Sequence, residues 1–254
     1  MTDKINALFE SFPPIRLEDM DRVRLMDRTD RKFLLNRENL PEFLEAIKGD
    51  YQLLKIKGKH LLNYQTQYLD TKELSLYHLH QKGKSHRWKV RYRVYVDSEV
   101  GFFEVKTKNN KGRTVKSRVP ASIQLDKMSA ESEKLIKRLT PVDPATLIPA
   151  VDIGYKRVTF VNPRVSERIT IDLDLHLSTP QMAKHFNDLV IIEVKQESKS
   201  DTKAILALRT MRLKEGGISK YCLAITQLYK DVKQNNFKPA LIRIYKLLHE
   251  TPAA

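Results

Sequence analysis

Residues 85–97 read S-H-R-W-K-V-R-Y-R-V-Y-V-D. Arg87, Lys89, Arg91, Arg93 and Tyr95 alternate with Trp88, Val90, Tyr92, Val94 and Val96. Strict alternation predicts a β-strand with two chemically opposite faces. The β-branched and aromatic half belongs in a core. The other half sets four cations side by side, where they repel unless something anionic lies against them. For one strand alone, the solvated outer face of a sheet serves as well. What separates the two readings is recurrence.

The two-faced pattern returns on both sides. Upstream, residues 28–36 set Arg28, Asp30 and Lys32 against Phe33 and Leu35. Asn36 can cap a helix over 38–48 with the apolar stripe Leu40, Phe43, Leu44 and Ile47. Strands are predicted at 51–57 and 60–70, followed by a short helical connector at 73–80. Downstream, 101–108 and 113–120 meet at Asn109-Asn110-Lys111-Gly112, a hairpin signal. Glu104, Lys106 and Lys108 share a face of the first, and Lys116 and Arg118 a face of the second. Ser129 opens a helix over 129–139 that stops at Pro141-Val142-Asp143-Pro144.

The second half repeats the theme. A strand at 151–161 groups Tyr155, Arg157 and Thr159. The next, at 164–177, alternates Arg168, Thr170, Asp172 and Asp174 with Ile169, Ile171, Leu173 and Leu175. A third, at 188–197, turns Glu193 and Lys195 away from Val190, Ile192 and Val194. F-E-V-K at 103–106 and I-E-V-K at 192–195 read as equivalent strands of a duplicated half. Helices are expected over 202–214, 219–232 and 239–249. Residues 1–26 read as a short helix, a Pro13-Pro14 break and a further packing piece.

Composition narrows the class. The 254 residues carry a formal charge of +15, far beyond solubility needs, which implies a polyanionic partner: nucleic acid, an anionic membrane or polyphosphate. One cysteine, Cys222, lies in the run Y-C-L-A-I at 221–225, which reads as a buried apolar position and fits a reducing compartment. No signal-peptide pattern opens the chain and no apolar run approaches about 18 residues, so a soluble, cytoplasmic protein is expected. Neither a Walker loop nor G-x-G-x-x-G is present, so phosphates would be held by side chains. His78, His80 and His86 lack a further ligand at zinc spacing and read as solvated loop positions.

About eight long strands, each with one apolar and one charged face, must satisfy both faces. The charged positions are too many and too regular for an outer skin, and the amphipathic helices need a sheet to pack on. The expected fold is α+β: a closed antiparallel eight-stranded β-barrel with a polar, basic lumen and flanking helices, which also removes sheet edges. A flat sheet with a basic face for RNA is the competing arrangement. The expected divisions are a packing segment at 1–27, the barrel at 28–232, and a C-terminal helix and tail at 233–254.

An ordered set of motifs now stands together. It comprises R-T-D-R-K-F at 28–33, Y-L-D-T at 68–71, Arg91-x-Arg93, F-E-V-K at 103–106 and Lys116-x-Arg118. It continues with Tyr155-x-Arg157, Arg168-x-Thr170-x-Asp172, I-E-V-K at 192–195 and S-K-Y at 219–221. In this order the chain resembles the vacuolar transporter chaperone (VTC) domain, the polyphosphate polymerase branch of the triphosphate tunnel metalloenzymes, over residues 28–229. The resemblance implies a tunnel that binds ATP and polyphosphate, or another phosphate-rich anion, with Mn²⁺ or Mg²⁺. It implies Lys32, Arg91, Arg93, Lys106, Lys116, Arg157 and Arg168 as phosphate ligands, with Tyr155, Ser219 and Lys220 adding contacts. Glu193 is the implied metal ligand, and Arg91, Arg93, Lys106, Arg157, Arg168 and Lys220 the implied catalytic set. The wider superfamily opens with E-x-E-x-K, whereas Arg28-x-Asp30-x-Lys32 stands here, which is closer to the polymerases than to the hydrolases.

Phosphoryl transfer is catalysed mainly by positioning and charge stabilisation, which explains such residues. Arginine forks grip phosphate oxygens bidentately and lysines act as point charges. Glu104, Asp172 and Asp174 are the alternates to Glu193, or the carboxylates that hold tunnel arginines in place. An ionised phosphate nucleophile needs no general base, and no convincing base stands out. The function expected is a metal-dependent phosphotransferase that moves the γ-phosphate of ATP onto a polyphosphate chain. The alternatives are a tripolyphosphatase or nucleoside triphosphatase, and a non-catalytic polyphosphate sensor. No nucleic acid is expected as partner, and a membrane-protein partner is left open.

Overall fold

The computed structural model describes residues 2–23, 29–124 and 128–249, so Arg28 lies outside the described residues. The chain opens with α1 (Thr2–Glu10), β1 (Pro14–Ile15), β2 (Thr29–Asn36), α2 (Leu40–Ile47), β3 (Gln52–Leu54) and β4 (Leu62–Asp70). It continues with α3 (Ser75–Gln81), β5 (Arg87–Tyr95), β6 (Val100–Lys108), β7 (Thr114–Ala121) and α4 (Ala130–Leu139). Then come β8 (Ile148–Asn162), β9 (Glu167–Ser178), β10 (Ala183–Phe186) and β11 (Leu189–Gln196). Last are α5 (Lys203–Thr210), α6 (Lys220–Leu228) and α7 (Lys238–Leu247).

Local chemistry sets the boundaries. Asn36 accepts from Glu38 N across a short 3₁₀ turn before α2, and Ser129 and Ser219 accept from Ser132 N and Cys222 N to start α4 and α6. The β6–β7 turn closes on Asn109, whose side-chain oxygen accepts from Lys111 N and Arg113 N. Gly112 takes the left-handed conformation there, at φ +77°.

Eight strands form one antiparallel path in the order β2-β11-β9-β8-β4-β5-β6-β7. The path is pseudo-symmetric: β11 and β6, which carry the two E-V-K runs, each lie second from an edge. β1, β3 and β10 are side branches. The antiparallel α+β expectation stands, but the barrel is not closed by hydrogen bonds among the described residues, since no ladder joins β7 to β2. The edge of β2 is already engaged: Gly216 N donates to Lys32 O at 2.8 Å, Arg31 pairs with Glu215, and Asn36 Nδ2 donates to Leu247 O. At the other edge β7 is largely exposed and carries Lys116, Arg118 and Pro120, residues suited to an unpaired strand.

Helices bury the outer apolar face and one end of the inner face. α1, α2 and α5 share a core with Phe33, Leu35, Phe160, Ile171 and Ile192. α4 packs with Val90, Tyr92, Phe103 and Val105. Flanking helices were expected over much of the outside, and α6 and α7 also pack with Leu34, Ile153, Tyr155, Leu175 and Ile191. Apart from Leu175, these share parity with the charged positions of their strands. The inner face turns apolar at that end, and α6 fills it.

Candidate functional site

Arg91 and Arg93 project from the inner face of β5 and are 4% and 8% exposed. Buried guanidinium groups need partners. The antiparallel register sets Arg91 opposite Glu104 of β6, and its Nε and Nη2 donate to Glu104 Oε2 at 2.8 and 2.6 Å. Its Nη1 donates to the Tyr68 hydroxyl at 2.8 Å. Lys116 of β7 adds a 3.2 Å contact to Glu104 Oε1. Burial alone would raise the Glu104 carboxyl, but Arg91 and Lys116 hold it down at about 2. Arg93 donates to Thr66 Oγ1 at 3.2 and 3.1 Å and stands 5.7 Å from the ring centre of Tyr64.

Beside this cluster lies Lys106, which makes no hydrogen bond or ion pair with any described residue. The field of Arg91, together with burial and Arg93, pushes its ammonium well below the usual lysine range. Lys89, its cross-strand neighbour, is lowered by burial and by Arg91 and Lys32. Cations here crowd one another with too little compensating charge.

The other half of the sheet mirrors the arrangement. Arg157 of β8 grips Asp172 of β9 with both prongs, at 2.6 and 2.8 Å, and Lys220 at the start of α6 reaches the same carboxylate. Burial would raise Asp172, yet Arg157 and Lys220 hold it at about 2. The Tyr155 ring lies under both cations, 5.3 Å from Arg157 and 4.6 Å from Lys220. Glu193 of β11 receives Lys32 at 2.5 Å and Lys195. Burial works against ionisation there too, but Lys195 and Lys32 keep the carboxyl well below its usual range.

These groups share one concave face. Arg118 from the β7 edge, Lys195 from β11, and Arg157 and Arg168 line a cavity of about 490 Å³, so the sheet curls until β7 faces β9 and β11 across it. The Thr170 hydroxyl at this cavity is buried without a hydrogen-bond partner among the described residues. Cations outnumber the carboxylates Glu104, Asp172 and Glu193. The arrangement can strip water from an elongated polyanion and fix it along the strands.

Most expected positions therefore gather in one trough, with two differences. Asp174 leaves it: the register slips between Gly154 and Lys156, Asp174 sits at φ +51°, and its carboxylate pairs with Arg37 and Lys156 instead. Leu175 turns inward in its place. Ser219 uses its hydroxyl oxygen to cap α6. Lys89 and Arg118 belong to the trough although no role was assigned to them, and parity alone points to both. Thr66 and Tyr68, which steady the arginines, could have been found by parity in N-Y-Q-T-Q-Y at 63–68.

Among the described residues no three His, Cys, Asp or Glu side chains gather as a metal cage. The donor set at Glu193 fits a cation held by one carboxylate together with phosphate oxygens and water, the habit of Mg²⁺ and Mn²⁺ at phosphate sites. It does not fit an all-protein site. No described helix is long and apolar enough to cross a membrane.

A family model described as the VTC domain matches residues 27–229. No curated protein matches. Among solved structures, HpAC1 from Hippeastrum, described as revealing a dominant triphosphatase activity, is 11% identical, with 80% of this chain and 98% of that one covered at a TM-score of 0.49. The PH1819 protein from Pyrococcus horikoshii OT3 is 13% identical, with 79% and 99% covered at a TM-score of 0.44. The family assignment rests on the domain match alone.

Proposed function

This chain belongs to the VTC domain family, and from that premise we propose that it is a polyphosphate polymerase acting in the cytoplasm on ATP and a polyphosphate chain. The observation that carries the proposal is Lys106. A half-buried ammonium facing Arg91, Arg93 and Lys89, opposed by a Glu104 carboxylate already engaged by Arg91 and Lys116, is unfavourable unless a further anion completes it. A linear phosphate anion supplies charge at the spacing the strands impose. The catalytic unit in this proposal is residues 28–232, with 1–27 and 233–254 as packing elements.

In the reaction, a terminal phosphate oxygen of the chain attacks Pγ of ATP, the bond from Pγ to the bridging oxygen breaks, and ADP leaves with that electron pair. The nucleophile is already ionised, so no base is required. Arg91 and Arg93 fix the phosphate oxygens around the transferring group, and Lys106 and Lys89 offset charge that builds in the transition state. Arg157, Arg168 and Lys220 hold the flanking phosphates, with Lys32 and Lys116 at the trough margins. Tyr155 sets the height of Arg157 and Lys220, and Ser219 anchors the helix that carries Lys220. Glu193 is the residue that would hold Mn²⁺ or Mg²⁺, which when bound neutralises and orients phosphate oxygens.

The test is incubation with γ-labelled ATP and Mn²⁺, with and without a short polyphosphate primer, products resolved on a gel. A growing ladder that Arg157→Ala and Glu193→Ala both abolish is expected. Orthophosphate without a ladder would move the assignment to a triphosphatase. Primer binding without turnover would leave a sensor.

A further inference from the structure

Asp70 ends β4 with the parity of Tyr64, Thr66 and Tyr68, and it is completely buried. Its carboxylate is surrounded by neutral donors. Oδ1 accepts from Thr71 N at 2.7 Å and Leu76 N at 2.8 Å, and Oδ2 accepts from Tyr77 N at 2.9 Å and from the Tyr221 hydroxyl. Burial raises this carboxyl against the pull of those hydrogen bonds. Starting α3 does not call for a charge, since serine or asparagine caps a helix as well. What a carboxylate adds is a charge-assisted bond to the phenol, stronger than a neutral one. Burial and the Asp70 charge hold the Tyr221 phenol well above its ordinary value, so it stays a donor.

Tyr221 follows Lys220 at the start of α6. Its ring is buried, stacks on Tyr68 at 4.9 Å and meets Tyr77 and His80 edge-on, each at 6.5 Å. The backbone that carries Lys220 is thus fixed by the Ser219 cap on one side and by the Tyr221 bond to the sheet on the other. Asp70 lies on β4 and the Lys220 partner Asp172 on β9, two strands apart across β8. A lysine stem is flexible, so its ammonium is placed only as well as its root.

We propose that Tyr221, held by Asp70, is a positioning residue for Lys220: it fixes the root of α6 so that the ammonium meets the phosphate chain beside Asp172 and Arg157. The proposal rests on the phosphate-binding reading of the trough.

The test is calorimetric titration of the full chain with inorganic tripolyphosphate in a double-mutant cycle of Tyr221→Phe, Lys220→Ala and the two together. A second cycle uses Asp70→Asn, which keeps the oxygen facing Thr71 and Leu76 and loses the acceptor for Tyr221. Lys220→Ala should weaken binding about tenfold and Tyr221→Phe roughly three- to tenfold, with the double variant no weaker than Lys220→Ala alone. Circular dichroism checks folding, and if one variant does not fold the other cycle decides. If neither folds, the pair serves the fold alone and the proposal is overturned. It is also overturned by losses that multiply in the double variant, the mark of a purely structural residue, or by unchanged binding in Tyr221→Phe. Wild-type protein that binds tripolyphosphate but is indifferent to Lys220→Ala overturns the positioning role and leaves the phosphate reading standing. Wild-type protein that does not bind tripolyphosphate overturns both.

Discussion

Glu104 and Glu193 occupy matching places in the two halves of the sheet, each on the strand next to an edge and each in an E-V-K run. Their environments differ. Glu104 is fully buried and clamped by the Arg91 fork, with Lys116 closing its other oxygen. Glu193 is 17% exposed at its side chain and is met by two lysines, Lys32 and Lys195. An arginine fork is a fixed planar partner, whereas an ammonium on a flexible stem is a point charge that can move aside. The same short sequence thus serves once as an anchor and once as a reachable carboxylate.

The sharpest way to break this comparison is to remove each carboxylate. Glu104→Ala leaves Arg91 buried with its main partner gone and should cost about 3–5 kcal/mol in denaturant unfolding. Glu193→Ala should cost about 1 kcal/mol, since Lys32 is partly solvated, yet abolish turnover. Equal destabilisation would refute the division of labour.

Acid titration separates the two halves further. Glu104 has a folded value of about 2 against 4.5 unperturbed, so its contribution is complete above pH 4.5 and lost as pH falls through about 2. Unfolding free energy measured over that window should fall in the wild type and be flatter in Glu104→Ala. Lys106 gives the opposite sign of effect. Lys106→Met relieves repulsion from Arg91 and should raise stability by about 1 kcal/mol while weakening tripolyphosphate binding by about tenfold. Because the folded Lys106 value lies below its unfolded one, wild-type stability should rise with pH as pH approaches 10.5, and the variant should lack that rise.

The smallest effects compare the two edges. Gly216 caps the β2 edge at φ +133°, so Gly216→Ala should cost about 1 kcal/mol in thermal unfolding. Val115 lies on the open β7 edge and is 49% exposed, so Val115→Thr should stay within about 0.5 kcal/mol.

Alternation made the strands and the trough-facing parity of Arg91, Arg93, Lys106, Arg157 and Glu193 readable before any coordinates. Parity fails where a single residue is inserted, which is why Asp174 was misplaced: nothing in L-D-L-H-L marks a left-handed aspartate. β10 is four residues without alternation and gave no strand signal. Closure was illegible for another reason, since alternation fixes which way a side chain points but not whether distant edges meet. The entry of α6 into the trough depends on Leu34, Ile191 and Leu175 lying at one end together, a relation between strands rather than within one.

The seam between β7 and β2 has a mechanical consequence. A fully hydrogen-bonded ring has a girth set by strand number and stagger, and a polymer enters it only by an end. With no ladder across the seam among the described residues, the β6–β7 ribbon is held by its hydrogen bonds to β5 and by its packing on α4. No ring of hydrogen bonds therefore confines a long anion to end-on threading, and Lys116 and Arg118 border the seam on its β7 side.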